Sequence, residues 1–340
     1  MKESDILTLA KSGNFHGQPL SGQIEETHIS WVILTRKYAF KLKKPLKLSF
    51  LDFSKLSGRK KFCEQELMLN RRFSKIYKSV LPVRYDRGTW YMGGKKGRVV
   101  DYAVQMKRMI SSKRMDLLLR TGKVTRENIF ALAEEIGSFH SRARIITRAF
   151  DIVVARRTFN DIRTIRLNIL RHLGSRYSDF IDRSVRWSDS FLKAHKARIQ
   201  ERIRMGFLRD VHGDLHSGNI FLYKHPVLFD CIEFADSLRF IDVIAEIAFF
   251  CMDLDYYGYE QLAEIFLSEY NRCFPCILNR EDERLLLYYE CYRANVKAKV
   301  HMSSAEQALT RIDYSRHMQA VRGYLNLMKR YMNKVQDIVN

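Results

Sequence analysis

The stretch Val211-His212-Gly213-Asp214-Leu215-His216-Ser217-Gly218-Asn219-Ile220, followed by Phe229-Asp230-Cys231-Ile232-Glu233-Phe234, decides the reading of this chain. Its polar residues keep a definite spacing: Asp214 lies two residues after His212, Asn219 five further on, and Asp230 eleven beyond that. One carboxylate in such a loop can face an attacking hydroxyl, while an amide oxygen and a second carboxylate supply the hard oxygen ligands that suit Mg²⁺. Phosphoryl transfer needs that set, because positioning and charge neutralisation do most of its work.

Outward from the loop, the two sides differ in texture. Residues 26–44 (ETHISWVILTRKYAFKLKK) read as a strand hairpin rich in Ile, Val, Trp, Tyr and Phe, turning at Thr35-Arg36-Lys37. Residues 54–73 read as a helix with Ser54 as N-cap, and short strands follow at 80–85, 89–92 and 99–106. After Met106 the pattern becomes amphipathic helix: 115–119, 127–143, 161–173, 178–205, 241–252, 260–273, 280–304 and 312–339. Inside that half, Ile220-Phe221-Leu222 and Val227-Leu228-Phe229 bracket Lys224-His225-Pro226 as a two-stranded ribbon. The expectation is an α+β, bilobal chain: a β-rich N-lobe with one main helix (1–107) and a larger, mostly helical C-lobe (108–340), with a cleft between them. The C-lobe carries the catalytic loop 211–220 and the metal segment 229–234, and the lobes join near Gln105-Met106-Lys107-Arg108.

His212, Asp214 and Asn219 stand at the intervals of the kinase catalytic loop H-R-D-x-x-x-x-N, with Asp230 where the metal aspartate of D-F-G would come. The chain thus resembles the aminoglycoside phosphotransferase and choline kinase group of the protein-kinase-like superfamily, whose loop reads H-G-D-x-x-x-x-N. More closely, ETHISWVIL, FLDFSKLSGRKKFCEQELMLNRR, HGDLHSGNI and FDCIEFADSLRFIDV are similar to an uncharacterised bacterial aminoglycoside-phosphotransferase-like family. Some of its members are fused to a P-loop ATPase-like domain. The resemblance spans roughly residues 25–270, and the absence of G-x-x-x-x-G-K-[ST] makes this chain the kinase-like part alone.

The resemblance implies a protein-kinase-like fold and an ATP-dependent phosphotransferase acting on a hydroxyl. Asp214 would be the catalytic base, Asn219 and Asp230 the Mg²⁺ ligands, and His212 a structural brace. The phosphate lysine should come from Tyr38-Ala39-Phe40-Lys41; Lys41 and Lys43 share a strand face, so either could serve, with Lys41 fitting the position better. Its helix partner would be Glu66, with Glu64 as the alternative. No G-x-G-x-x-G precedes Lys41, so Thr27 and Ser30 are the groups expected to cover the nucleotide, with Met106 beside it. The donor is ATP, with GTP left open. His216 is read as a hydrogen-bonded structural histidine, Glu233 as a metal or substrate contact or the brace of an arginine, Asp236 as a turn residue, and Asp242 as a cap or brace.

Composition sets the remaining bounds. The chain has 340 residues, 46% of them hydrophobic, which with 16 Gly, 5 Pro and 6 Cys excludes disordered, collagen-like and disulfide-scaffold classes. Met1-Lys2-Glu3-Ser4-Asp5 does not read as a secretory leader, and the most apolar run, 241–254, is broken by Asp242, Glu246 and Asp253, so no membrane span and a cytoplasmic location are expected. The single CxxC, Cys273-Phe274-Pro275-Cys276, follows a helical pattern and lacks the context of a redox or zinc motif. Lys and Arg outnumber Asp and Glu by 59 to 38, a net charge of +21, and residues 156–209 carry fourteen Lys/Arg against five Asp/Glu. Such a field repels a polycationic aminoglycoside and favours a non-cationic small-molecule acceptor; nucleic acid is a further candidate partner, though no dedicated motif supports it. The competing reading is a catalytically silent basic module that binds nucleic acid or an acidic protein.

Overall fold

The computed structural model describes residues 1–48 and 51–338. Phe50, which opens the FLDFSKL stretch, and Val339, at the end of the last expected helix, lie outside the described residues. The chain divides into two compact units: Met1–Leu117 with Asn219–Leu238, and Leu118–Gly218 with Arg239–Asn340.

In the first unit an eight-stranded sheet runs in the order Gln18–Pro19, Asn14–Phe15, Thr89–Met92, Tyr77–Asp86, Arg98–Lys107, Tyr38–Lys43, Ser30–Leu34, Gln23–Glu26. The expected hairpin lies toward one edge of it: Ser30 pairs with Lys43, Val32 with Lys41 and Leu34 with Ala39, and Gln23–Glu26 adds the edge strand. Side chains alternate between faces along a strand, and the two faces are buried differently. Trp31, Ile33, Phe40, Leu42 and Ala103 pack with Ile6, Leu9 and Ala10 of an N-terminal helix, Glu3–Ser12, which sequence patterning did not single out. Ala39, Val104, Met106 and Tyr77 face the other way and pack with Cys63 of the helix Leu56–Asn70. That helix starts later than expected. Lys55 is its N-cap, because Ser54 spends its N–H and hydroxyl on Asp52 Oδ1, at 2.9 and 2.5 Å.

The second unit is helical around one large apolar core drawn from Phe159, Ile181, Val185, Phe249, Met252, Leu285, Tyr288, Val321 and Met328, among others. Two expected single helices are divided. Residues 161–173 form a 3₁₀ turn, Asp161–Ile165, followed by Arg166–Leu173, and residues 178–205 form Ser175–Ala194 and Lys196–Arg204, broken at His195. An additional helix, Ile152–Asn160, is capped by Asp151, whose Oδ1 accepts from the N–H groups of Val153 and Val154.

The helix Val243–Tyr256 is buried without interruption from Val243 to Leu254. Asp242 caps it by accepting from Ile244 N–H at 2.9 Å, and it also takes both forks of the fully buried Arg202 at 2.8 and 2.9 Å. Asp242 is thus the cap that was one of its two expected roles, and the group it braces is Arg202 and not the catalytic loop. Asp236 opens a short helix, Asp236–Arg239, rather than sitting in a turn. All six cysteines are free thiols, including Cys273 and Cys276. Among the described residues, no helix is long and apolar enough to cross a membrane.

Candidate functional site

The chemistry-bearing residues fall into two groups, one in each unit. In the first unit, Lys41 and Lys43 leave the same face of Tyr38–Lys43 and meet three carboxylates. Lys41 Nζ lies 3.0 Å from Glu66 Oε1 and 2.5 Å from Asp230 Oδ1; Lys43 Nζ lies 2.7 Å from Glu66 Oε2 and also donates to Glu233. Glu66, fully buried on Leu56–Asn70, therefore stands between both lysines, whereas Glu64 is exposed and pairs with Lys60 at 3.7 Å. The i and i+2 positions of a helix diverge, which is why only one of the two can face the sheet. Glu233 braces a lysine, not an arginine.

The cluster holds two cations and three carboxylates, so it carries an excess negative charge with its most exposed member, Asp230, at the edge (41% of its side chain in water). Burial alone would pull Lys41 down, but Asp230, Glu66 and Glu233 hold it well above the ordinary lysine range. Glu66, which burial alone would raise, is held at about 2 by the same two lysines. Glu233 goes the other way, because burial and the neighbouring Glu66 charge outweigh Lys43.

The metal segment reaches this cluster through specific backbone bonds. Phe229 N–H donates to the Asn219 carbonyl at 3.1 Å, which sets Asn219 beside the residue preceding Asp230. Asp230 N–H donates to the Tyr77 hydroxyl at 3.0 Å, and Cys231 N–H to Asn70 Oδ1 at 2.9 Å. Asp230 is held in the left-handed region, φ 64°, a conformation that costs a non-glycine residue on the order of 1–3 kcal/mol and persists where the surroundings impose it. Asn219 and Asp230 offer hard oxygens next to a surplus of negative charge, which fits Mg²⁺. Among the described residues no group of three His, Cys, Asp or Glu is arranged to hold a metal ion by itself.

Of the groups expected over the nucleotide, the Thr27 hydroxyl is spent on structure, whereas the buried Ser30 Oγ has no hydrogen-bond partner among the described residues. Thr27 Oγ1 accepts from Ser30 N–H at 3.0 Å and donates to Ser30 O at 3.1 Å, closing the turn between two strands, and Ser30 is wholly buried. With no glycine in that turn, its own side chains are needed to close it. Met106 pairs with Ala39 and is nearly buried, in the same apolar cluster.

In the second unit, the loop at 211–218 is held through its backbone. Glu246 accepts from His212 N–H at 2.8 Å and Gly213 N–H at 2.9 Å, and Asp253, two helical turns along Val243–Tyr256, accepts from Ser217 N–H at 2.8 Å. Gly213 adopts φ 86°, which lets consecutive N–H groups converge on one carboxylate. His140, 3.9 Å from Glu246, together with His212 and Arg293 holds that carboxyl below its ordinary range against the effect of burial.

His216 Nδ1 accepts from Gly218 N–H at 3.1 Å, so its proton sits on Nε2, 3.4 Å from Asp214 Oδ2. A Cβ on Gly218 would lie 2.8 Å from the His216 ring, so glycine is required there for close approach. Burial alone would raise the Asp214 carboxyl, but His216, Lys297 and His212 hold it far below the carboxylate range. It is ionised at neutral pH, with 38% of its side chain exposed. It can accept a hydrogen bond from a hydroxyl and orient that oxygen for attack.

Glu246 and Asp253 carried a sequence signal that was read for another purpose: acids breaking an apolar run. A buried helix that retains carboxylates seven residues apart presents them on one side, where they need donors.

No protein-family model matches the chain. Uncharacterised proteins of Mycobacterium tuberculosis H37Rv and Mycobacterium bovis are 31% identical over 286 residues, 82% of this chain and 54% of theirs. The chain thus spans about half the length of the curated relatives it matches. Among solved structures, a choline/ethanolamine kinase family protein from Mesorhizobium loti aligns at TM-score 0.55 and 11% identity, covering 98% of each chain. Aminoglycoside 2′′-phosphotransferase-IIIa, solved with GDP and kanamycin, aligns at TM-score 0.55 and 10% identity, covering 98% of this chain and 99% of its own. A Plasmodium vivax ethanolamine kinase aligns at TM-score 0.50 and 8% identity, covering 89% and 81%. The likeness shows the fold, which this chain shares with the choline/ethanolamine kinase family protein and the aminoglycoside phosphotransferase.

Proposed function

We propose that this protein is an ATP-dependent phosphotransferase that moves the γ-phosphoryl group to a hydroxyl of a non-cationic small molecule. The observation that carries the reading is the convergence on Lys41 of a helix glutamate at 3.0 Å and a metal-segment aspartate at 2.5 Å. The GDP complex of a structural neighbour, aminoglycoside 2′-phosphotransferase-IIIa, supports nucleotide use.

In this reading Lys41, oriented by Glu66, releases Asp230 and takes the α- and β-phosphates. Asn219 and Asp230 would hold Mg²⁺, which when bound neutralises phosphate charge. Lys43 stays in its buried pair. Asp214 orients the acceptor hydroxyl and takes its proton, and the new O–P bond forms as the bond to the β-phosphate oxygen breaks, releasing ADP. Ala39 and Met106 offer an apolar wall for the base.

A thermal-shift titration with ATP and GTP, each with Mg²⁺, tests the nucleotide half, because a ligand confined to the native state stabilises it by about 2.7 kcal/mol at 100 times Kd. The expected result is a rise in Tm with ATP and Mg²⁺ that Asp230→Ala abolishes. No rise with either nucleotide would overturn the reading in favour of a silent basic module.

A further inference from the structure

The helix Arg280–Glu306 places Arg293, Lys297 and His301 at four-residue intervals, on one face. Arg293 is buried and committed: its guanidinium donates to Gly213 O at 3.4 Å and Ala245 O at 3.3 Å and lies 4.7 Å from the Phe249 ring centroid. Lys299, off this face, is paired with Asp161 at 2.7 Å. Lys297 is different. Its ammonium lies 5.1 Å from the same Phe249 ring, and among the described residues it has no hydrogen bond or ion pair. The His216 ring is 5.4 Å from Phe249 on its own approach, and His216 in turn lies 3.4 Å from Asp214. The half-buried Lys297 ammonium and the histidine that touches Asp214 thus share one aromatic neighbour, and the charge that Lys297 acts on is that of Asp214, which it helps hold below the carboxylate range.

We propose that Lys297 recognises an anionic group, carboxylate or phosphate, on the acceptor whose hydroxyl meets Asp214. The inference rests on the phosphotransferase reading and names its substrate class. A half-buried ammonium with no direct ion pair of its own among the described residues gains from meeting an anion and repels a cation, so one residue both attracts the right acceptor and rejects quaternary amines and aminoglycosides. The cation–π contact with Phe249 holds the ammonium in place without neutralising it.

Two measurements test the assignment independently of the nucleotide. Inorganic phosphate, titrated without nucleotide, should raise the Tm of the wild type and of Lys41→Met but not of Lys297→Glu. In the presence of ATP and Mg²⁺, transfer to glycerol 3-phosphate and glycerate should exceed transfer to glycerol and ethanolamine by about tenfold, the scale of one charge-assisted hydrogen bond. Lys297→Glu should reverse that order with an unchanged ATP-induced shift, and Lys297→Arg should restore it. The proposal is overturned if phosphate leaves wild type unshifted, if Lys297→Glu binds phosphate equally, or if Lys297→Glu lowers ATP affinity instead, which would place the cation on the γ-phosphoryl group. An absent ATP shift with a Lys297-dependent phosphate shift would remove the kinase reading and leave the anion site standing.

Discussion

The two units hold their functional residues by different means. Around Lys41 the contacts run side chain to side chain, two lysines among three carboxylates, and the outcome is a charge cluster with an unbalanced negative edge at Asp230. Around Asp214 the supporting carboxylates, Glu246 and Asp253, grip backbone N–H groups instead, and the loop is built before any ligand is involved. The first arrangement is a network of charges with one member at the surface; the second is a loop braced through its backbone. Lys43 marks the boundary within the first: its side chain is fully buried, while Lys41 on the same strand face keeps 10% in water and reaches a carboxylate at the surface.

The sharpest way to break this contrast is Asp214→Asn. Loss of the ionised carboxylate should reduce turnover by about 10²–10⁴-fold, the usual contribution of a positioned general base, while Tm stays unchanged. Retention of wild-type transfer would remove the function assigned to the loop. Next in size, Lys43→Met should lose about 3–5 kcal/mol of unfolding free energy in urea, because it strands Glu66 and Glu233 in the interior. Lys41→Met should lose less, since Asp230 remains solvated, yet it should abolish nucleotide binding. Equal losses from both would mean that the two lysines are equivalent and the contrast false.

Glu246→Gln should cost about 1–3 kcal/mol by leaving backbone donors poorly served, and should lower turnover without moving nucleotide affinity. The acid limb offers a finer test. Glu66 has its folded pKa at about 2, below the ordinary 4.5, so it contributes stability that is complete above about pH 4.5 and is lost as pH falls toward 2. Glu233, raised on folding, works in the opposite sense. Urea midpoints measured from pH 6 downward should show the loss in wild type and a shallower one in Glu66→Gln. Smallest of all, Ser54→Ala should change stability by no more than about 0.5 kcal/mol, because Lys55 and not Ser54 caps the helix.

The hairpin at 26–44, the helix around Glu66 and the long C-terminal helices were legible because each repeats its pattern over several turns or alternations. Boundaries were not. The start of Leu56–Asn70 was displaced by the competing Asp52–Ser54 bonds, and the break at His195 leaves no Gly or Pro to announce it. The N-terminal helix Glu3–Ser12 was missed because only three of its ten residues, Ile6, Leu9 and Ala10, are buried, and their burial depends on a sheet formed by distant strands. The spacing of Asp214, Asn219 and Asp230 and the strand position of Lys41 could be read from residue order, whereas the contacts each side chain makes could not. Thr27 was read as a nucleotide contact because a hydroxyl in a turn looks available until its hydrogen-bond partners are known, here the backbone N–H and carbonyl of Ser30.

By itself the sequence determined the spacing of His212, Asp214, Asn219 and Asp230, the shared strand face of Lys41 and Lys43, and the strongly basic balance, since each depends only on residue order and composition. Only the tertiary structure decided that Glu66 rather than Glu64 meets the lysines, that Glu233 answers Lys43, that Glu246 and Asp253 hold the loop, and that Lys297 acts on Asp214 with no direct ion pair of its own. Those facts link residues 23 to 190 positions apart along the chain, or turn on partners that are missing, and neither is written in local pattern. A buried charge finds its partner through the packing of whole elements, so its pairing becomes visible only when those elements are in place.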